Sequence, residues 1–309
     1  MGFKANLIFI LLSFAFVLPS QGAVTLLDQN DWKVQFGGFA EMDIVHDSTR
    51  TYNEVIGNNP VARHGTFDGD NERMTFSNRN SRLAFTVTAP VQDGWKSKGY
   101  FEMDFLGYEP NVGQGAPANS ESGFYSNPAI RIRHAYLNAQ NEQWSYLVGQ
   151  TWSLFGWQPA YTLTTVGIAP LSVVLFQRTL QAMAMRTYVL SNDNTLQAAS
   201  SIARPSQRDS GLPNMDVGVR YMIGSRRSGF AATTSDATAE PMSIGLSGTF
   251  RQFENAQSTQ TKGQDKTNTS AIAADILVPI IPAADKDISH TLTFTGEFTS
   301  GTGYADELS

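Results

Sequence analysis

The sequence predicts an all-β fold, specifically a transmembrane, antiparallel, up-and-down β-barrel. Three observations carry the prediction. Segments of about ten residues recur in which apolar and polar side chains alternate, the period of a strand. The stretches between them are rich in turn residues and mostly alternate between short and long, as an up-and-down barrel in an outer membrane requires. The polar face also carries charge of both signs. In Ala129–Phe155, Ile130, Ile132 and Tyr136 point one way and Arg131 and Arg133 the other. A membrane barrel turns its apolar face to lipid and its charged face to a wet lumen.

The N-terminus reads as a signal peptide, residues 1–23. Lys4 supplies the positive start, Leu7–Leu18 the apolar run and Pro19–Ala23 the small residues for cleavage. That run is too short for a membrane helix, which needs about 20 residues. Residues 24–309 then form one barrel domain. The chain has no cysteine and a net charge of −6. Removing Lys4 leaves 21 basic against 28 acidic residues, a balance of −7. Disulfides are impossible, and the acidic balance argues against nucleic acid as a partner.

Taken in order, Trp32–Val45 sets Val34, Phe36 and Ile44 against Gln35, Glu41 and Asp43, and a long polar loop, Ser48–Phe76, follows. Leu83, Phe85 and Val87 oppose Arg82, Thr86 and Thr88. After the tight turn Pro90–Gly94, Phe101, Met103 and Phe105 oppose Tyr100, Glu102 and Asp104, and a second long loop spans Gly107–Pro128. Asn138–Gln143 is a turn. Thr179–Leu190 is extended with a less clean alternation, and Thr195–Ala203 is a weak strand. Val217 and Val219 oppose Asp216 and Arg220; Ile244, Leu246 and Phe250 oppose Ser243, Ser247, Thr249 and Arg251. Ile272, Ile276 and Ile280 oppose Ala273 and Asp275; Leu292, Phe294 and Phe298 oppose Thr293 and Glu297. This gives about eleven strands and no convincing helix. Bacterial barrels have even strand numbers, and one of about sixteen would leave an aqueous channel, so the chain reads as C-terminally truncated.

Candidate channel-lining residues are Arg82, Arg131, Arg133, Arg178 and Arg220 with the acids Glu41, Asp43, Glu102 and Asp104. Opposite charges on adjacent strands can neutralise each other across the wall. An unbalanced arginine lining would instead select anions, since its fork matches carboxylate and phosphate. Phe155–Phe176 is too apolar for an exposed loop, with Trp157, Tyr161, Leu163, Ile168, Leu171 and Leu175. Burial against the inner wall would make it a constriction; a lid or subunit contact is the alternative. Arg178 would sit at its root. His134 shares a face with Ile130 and Ile132 and is expected at a membrane interface. No HExxH, phosphate-binding glycine loop or GxSxG occurs, and the four histidines are far apart, so neither an enzyme, a cofactor nor a metal site is expected.

GFAEMDIVHD, NSRLAFT, GYFEMDF, IRIRHAYLN and VGQTWSLF, in this order between Val34 and Arg186, resemble the DcaP-like family of outer-membrane porins. The resemblance implies a sixteen-stranded trimer in the bacterial outer membrane, an inward-folded third loop and passage of small anionic solutes such as dicarboxylates. Arg131 and Arg133 match the family's basic pair, and Gln150–Trp152 its strand end before the constriction. Gly156-Trp157-Gln158 departs from the acidic, proline-containing stretch usual there, and the coiled-coil extension of some members is absent. A passive porin is therefore expected, with outer-membrane lipid around it. A sugar- or phosphate-preferring porin, or a secreted β-rich binding or adhesive protein, is the alternative. Aromatic girdles at the strand ends would favour the barrel.

Overall fold

A computed structural model gives the fold and describes residues 23–49, 62–107, 129–157, 175, 177–191, 193–205, 210–231, 239–255, 265–284 and 290–307. The expected signal peptide, except Ala23, lies outside the described residues, as do Tyr161, Leu163, Ile168 and Leu171. The strands are β1 (Val24–Gln29), β2 (Trp32–Phe39), β3 (Asp43–Asp47), β4 (Arg73–Ser77), β5 (Arg82–Thr88), β6 (Lys96–Gly107), β7 (Ala129–Gln140), β8 (Trp144–Trp152), β9 (Arg178–Val189), β10 (Asn194–Ala203), β11 (Asn214–Ala231), β12 (Ala239–Asn255), β13 (Asp265–Ile281) and β14 (Leu292–Gly301). A four-residue helix, α1 (Phe67–Asp70), and a 3₁₀ turn (Ala305–Glu307) complete the elements. No helix among the described residues is long and apolar enough to cross a membrane.

Twelve strands form one sheet in the order β1-β2-β5-β6-β7-β8-β9-β10-β11-β12-β13-β14, with antiparallel neighbours throughout, and β3 and β4 form a separate hairpin. The all-β, up-and-down expectation holds, with one strand more in the sheet than the eleven expected. The addition is β1, joined to β2 by Asn30 and Asp31 at φ 52° and 62°. A two-residue turn with both φ positive matches the twist of the strands it connects. Trp32–Val45 is not one strand. It breaks after Phe39, and Asp43–Asp47 pairs instead with Arg73–Ser77, inside the stretch expected to be a loop. The longest connections, 40–81, 108–128 and 153–177, all leave from one end of the sheet.

The two faces of the sheet invert a soluble protein. Ile244, Leu246, Ile272, Phe294 and Phe298 stand exposed on the outer face, whereas Asp104, Arg251 and Asp275 are 0%, 1% and 3% exposed on the inner one. Burial alternates residue by residue through Gly99–Gly107 on β6, Ser243–Arg251 on β12 and Thr269–Ile280 on β13. Near the short-turn end the outer face carries stacked aromatics: Trp144 lies parallel to Tyr146 at 5.9 Å, and Trp95 stacks on Tyr146 at 5.7 Å.

One strand switches phase. Glu102 on β6 pairs with His134, but Met103 pairs with Ile132, so Arg133 is an extra residue in β7. Such a bulge directs two consecutive side chains to the same face. Arg133 and His134 are accordingly both buried, at 6% and 8% exposure. His134 is therefore not at the apolar face expected for it. It hydrogen-bonds Thr151 Oγ1 at 3.0 Å and packs between Tyr100, Tyr136 and Trp152. Tyr136 moves inward with it, since Tyr100 and Tyr136 rings meet at 5.6 Å.

Candidate functional site

The inner face carries two structures: a charge cluster on β5–β7 and an apolar segment that crosses the concavity toward β11–β14. The register builds the first. Asp104 on β6 lies between Arg82 on β5 and Arg131 on β7, and Glu102 lies one inward position along the same strand. Arg131 grips Asp104 with both prongs of its fork, Nε at 2.9 Å and Nη2 at 2.5 Å. Arg133, on the inner face with Arg131, donates through Nε to Glu102 at 2.6 Å and through Nη1 to Asp104 at 2.9 Å. Arg82 reaches Glu102 at 4.0 Å. Tyr100 Oη donates to the other Glu102 oxygen at 2.7 Å, and the Leu106 amide to Asp104 at 3.1 Å. The two arginines read as a basic pair are thus part of an ion-pair network with two buried carboxylates.

Arg178 adds a fourth guanidinium. It stacks on Trp152 with its carbon 4.8 Å from the ring centroid and feels the fields of Arg133, Arg131, Asp104 and Arg82. No carboxylate of the described residues lies within ion-pair distance of it, and its Nη1 is buried without a hydrogen bond. Four arginines therefore face two carboxylates, and the excess of two falls on Arg82, 4.0 Å from Glu102, and on Arg178 at the root of the inward segment. Glu41 and Asp43 flank the cluster at the long-loop end. Asn80 Nδ2 donates to Glu41 at 3.1 Å and Ser81 Oγ accepts from its amide at 3.0 Å. Burial pushes the Glu41 carboxyl up to about 7; the Asn80 hydrogen bond opposes this and neighbouring Asp43 adds to it.

The second structure begins at Ser153. Leu154 and Phe155 are 1% and 2% exposed, and Leu175, at the far end of the segment, is 2%. They are buried against the opposite inner wall. The Gly156 amide donates to Ser247 Oγ on β12 at 3.0 Å, and the Leu175 amide to Glu297 on β14 at 2.9 Å. Phe155 meets Tyr304 edge-on at 5.9 Å, with Ala271 and Ala273 beneath. Gly156 needs its φ of +72°, and a side chain there would strike Leu175. The wall makes room with small residues: a Cβ on Gly218 would lie 3.1 Å from the Trp157 ring. Arg220, which donates to Gln197 Oε1 at 2.9 Å, lies over the Trp157 ring at 4.4 Å. The inward placement expected for the apolar segment is what its described ends display, and Trp157 and Arg220 meet there; Tyr161 lies outside the described residues.

Sequence reasoning missed the clamp that holds this segment. Arg251 on β12, 1% exposed, donates to Asp306 at 2.6 and 2.7 Å and to the Gly303 carbonyl at 2.6 Å. Glu307 beside it accepts from Gln177 at 2.6 and 2.9 Å once the Gln177 amide is oriented with its nitrogen toward the carboxylate, which ties the segment's root to the turn after β14. Burial pushes Glu307 up to about 7 against the opposing pull of Arg251, with Asp216 and Asp306 raising it further. Arg251 and Glu297 could be placed on the inner face from alternation. Their partners could not, because these come from segments without a strand period.

An antiparallel sheet with an apolar outer face, an ion-paired inner face and an apolar segment whose described ends dock on the inner face has the build of a membrane β-barrel wall. A solved structure has a similar fold. The fold matches the outer membrane channel DcaP of Acinetobacter baumannii with a TM-score of 0.57 at 17% identity, over 89% of this chain and 66% of that one. The chain thus spans 66% of the length of that channel. No family model and no curated protein sequence matches the chain.

Proposed function

We propose that this chain is the wall of an outer-membrane porin, a passive, non-catalytic diffusion channel for small hydrophilic anions, dicarboxylates among them. One observation carries the reading: the buried, charged inner face opposite a continuous apolar outer face, with an apolar segment docked across the lumen between them. Only a closed barrel satisfies strand edges in lipid, and among the described residues β1 and β14 are the edge strands of the sheet. Cleavage of residues 1–23 as a signal peptide and assembly as a homotrimer belong to the same proposal. Anion preference rests on Arg178, since Arg131 and Arg133 spend their charge on Asp104 and Glu102. An uncompensated guanidinium in a low-dielectric constriction raises the local concentration of anions.

Recordings of the full-length protein in planar bilayers under a salt gradient test this. Arg178→Ala should move the reversal potential toward cations, whereas Arg220→Ala, whose cation is spread over Trp157, should move it less. An unmoved potential in Arg178→Ala would remove the basis for anion selection. The pH dependence has a definite sign. Glu41 and Glu307 are neutral below about 7 and gain negative charge above it, so anion preference should fall as pH rises from 6 to 8, and Glu41→Gln should reduce that change. The outer face is tested separately. Phe85, packed on Phe36 at 5.1 Å, faces outward, and Phe85→Arg should lower folding stability in vesicles by roughly 2–4 kcal/mol if it meets the bilayer interior. A urea titration unchanged by that substitution would argue for a secreted sheet.

A further inference from the structure

We propose that the outer face of β8–β11 is a binding site for one anionic glycerophospholipid, its phosphate on Arg186 and an acyl chain in the groove beside it. The inference rests on the membrane-barrel reading above. Arg186 breaks the rule of that face, because it points outward on β9 among residues expected to meet hydrocarbon. Its guanidinium carbon lies 5.2 Å from the Trp144 centroid and 4.9 Å from that of Tyr188. The two rings hold the cation without neutralising it, and its Nε is buried with no hydrogen-bond partner. No neutralising group is at hand on this face. β8, β9 and β10 contain no Asp or Glu, and β11 has only Asp216, which is 3% exposed and faces inward. Among the described residues no carboxylate lies within ion-pair distance of Arg186, which leaves the cation open to an anion from outside the chain.

The groove begins next to this cation. In register along the sheet, Tyr146, Ala184, Ser200 and Val217 form one outward row, and Val148, Ala182, Ile202 and Met215 the next. The alanines and Ser200 sink the floor between aromatic and branched walls, leaving an apolar cavity of about 490 Å³. From Arg186 to Ala182 the strand runs roughly 13 Å, a depth suited to an acyl chain descending from an interfacial headgroup. The aromatic stack of Trp95, Tyr146 and Trp144 marks that interface. Arginine costs little there, about 0–1 kcal/mol. The site lies at the short-turn end, which faces the periplasm in such barrels, so the occupant is a phospholipid of that leaflet and not lipid A.

Native mass spectrometry of the full-length protein from mixed micelles containing phosphatidylglycerol, phosphatidylcholine or lipid A tests the assignment. The wild type should retain one phosphatidylglycerol per chain in preference to the other two. Arg186→Gln should reduce that retention about tenfold, a loss of about 1.4 kcal/mol. Ala184→Phe, which fills the groove and keeps the charge, should also reduce it. Equal retention of all lipids, retention unaltered by both substitutions, or preference for lipid A would overturn the proposal. So would loss of oligomers in Ala184→Phe without loss of lipid, which would make the groove a contact between copies. Channel insertion is read in parallel: protein that inserts and conducts but shows no lipid preference defeats this inference alone, whereas protein that never inserts defeats the porin reading.

Discussion

Arg133→Ala is expected to destabilise the protein by about 3–5 kcal/mol, the cost of leaving a buried ion without its partner. Arg133 bridges two acids that are 4% and 0% exposed, and both would keep their charge with one counter-ion fewer. Arg131 would still hold Asp104, but Glu102 would have only Arg82 at 4.0 Å. Glu102 should thus be the residue that suffers. Arg131→Ala should cost less, because Asp104 retains Arg133 and the Arg131 side chain is 27% exposed. The comparison that isolates the ion pair is a double-mutant cycle with Glu102→Gln, which should restore a large part of the loss in the Arg133→Ala background. Urea unfolding in vesicles, followed by tryptophan fluorescence, measures all four corners. A single-variant cost below 1 kcal/mol, or a Glu102→Gln substitution that restores nothing, would show that Arg133 is a free pore cation and not part of the wall.

Much of the sheet was legible because the alternation is physical: on β12, Ile244, Leu246 and Phe250 expose while Ser243, Ser247, Thr249 and Arg251 bury. What escaped did so for identifiable reasons. The bulge at Arg133 inserts one residue, and an insertion leaves the composition of a strand unchanged; extending the period through it turned His134 and Tyr136 the wrong way. β1 lies directly behind the apolar N-terminal run and has exposed residues on both faces, so it offers no alternation to read. The clustered charges of β5–β7 (Arg82, Glu102, Asp104, Arg131 and Arg133) were all found, but signs on a list do not say which cations are spent. Geometry separates Arg131 and Arg133, bound to carboxylates, from Arg178, which rests on an indole. The inward segment was recognisable from its apolarity alone, since Leu154 and Phe155 had to find burial. Where it docks was not, because the small residues that receive it (Gly218, Gly245, Ser247, Ala273) are spread over three strands and look unremarkable on each.

That docking can be released selectively. Phe155→Ala is expected to cost about 3–5 kcal/mol, the range for removing a buried phenyl ring. The loss should appear as detachment of the segment and not as unfolding of the sheet. Phe155 touches Leu175, Ala271, Ala273 and Tyr304 and takes no part in strand pairing, so its energy belongs to a local opening. The polar and stacking anchors are lighter. The Gly156–Ser247 and Leu175–Glu297 hydrogen bonds contribute about 0.5–1.5 kcal/mol each, or up to about 3 where a carboxylate accepts. The stacking of Arg220 on Trp157 contributes about 0.5–2 kcal/mol. Losing Phe155 therefore removes the largest single term. The expected results are protease cleavage between Trp157 and Leu175 in folded protein and a larger, noisier single-channel conductance, with the urea midpoint of the sheet nearly unchanged. Trp157→Ala should give the same changes in weaker form. A Phe155→Ala channel with wild-type conductance and a protease-resistant segment would mean that this segment does not constrict the pore.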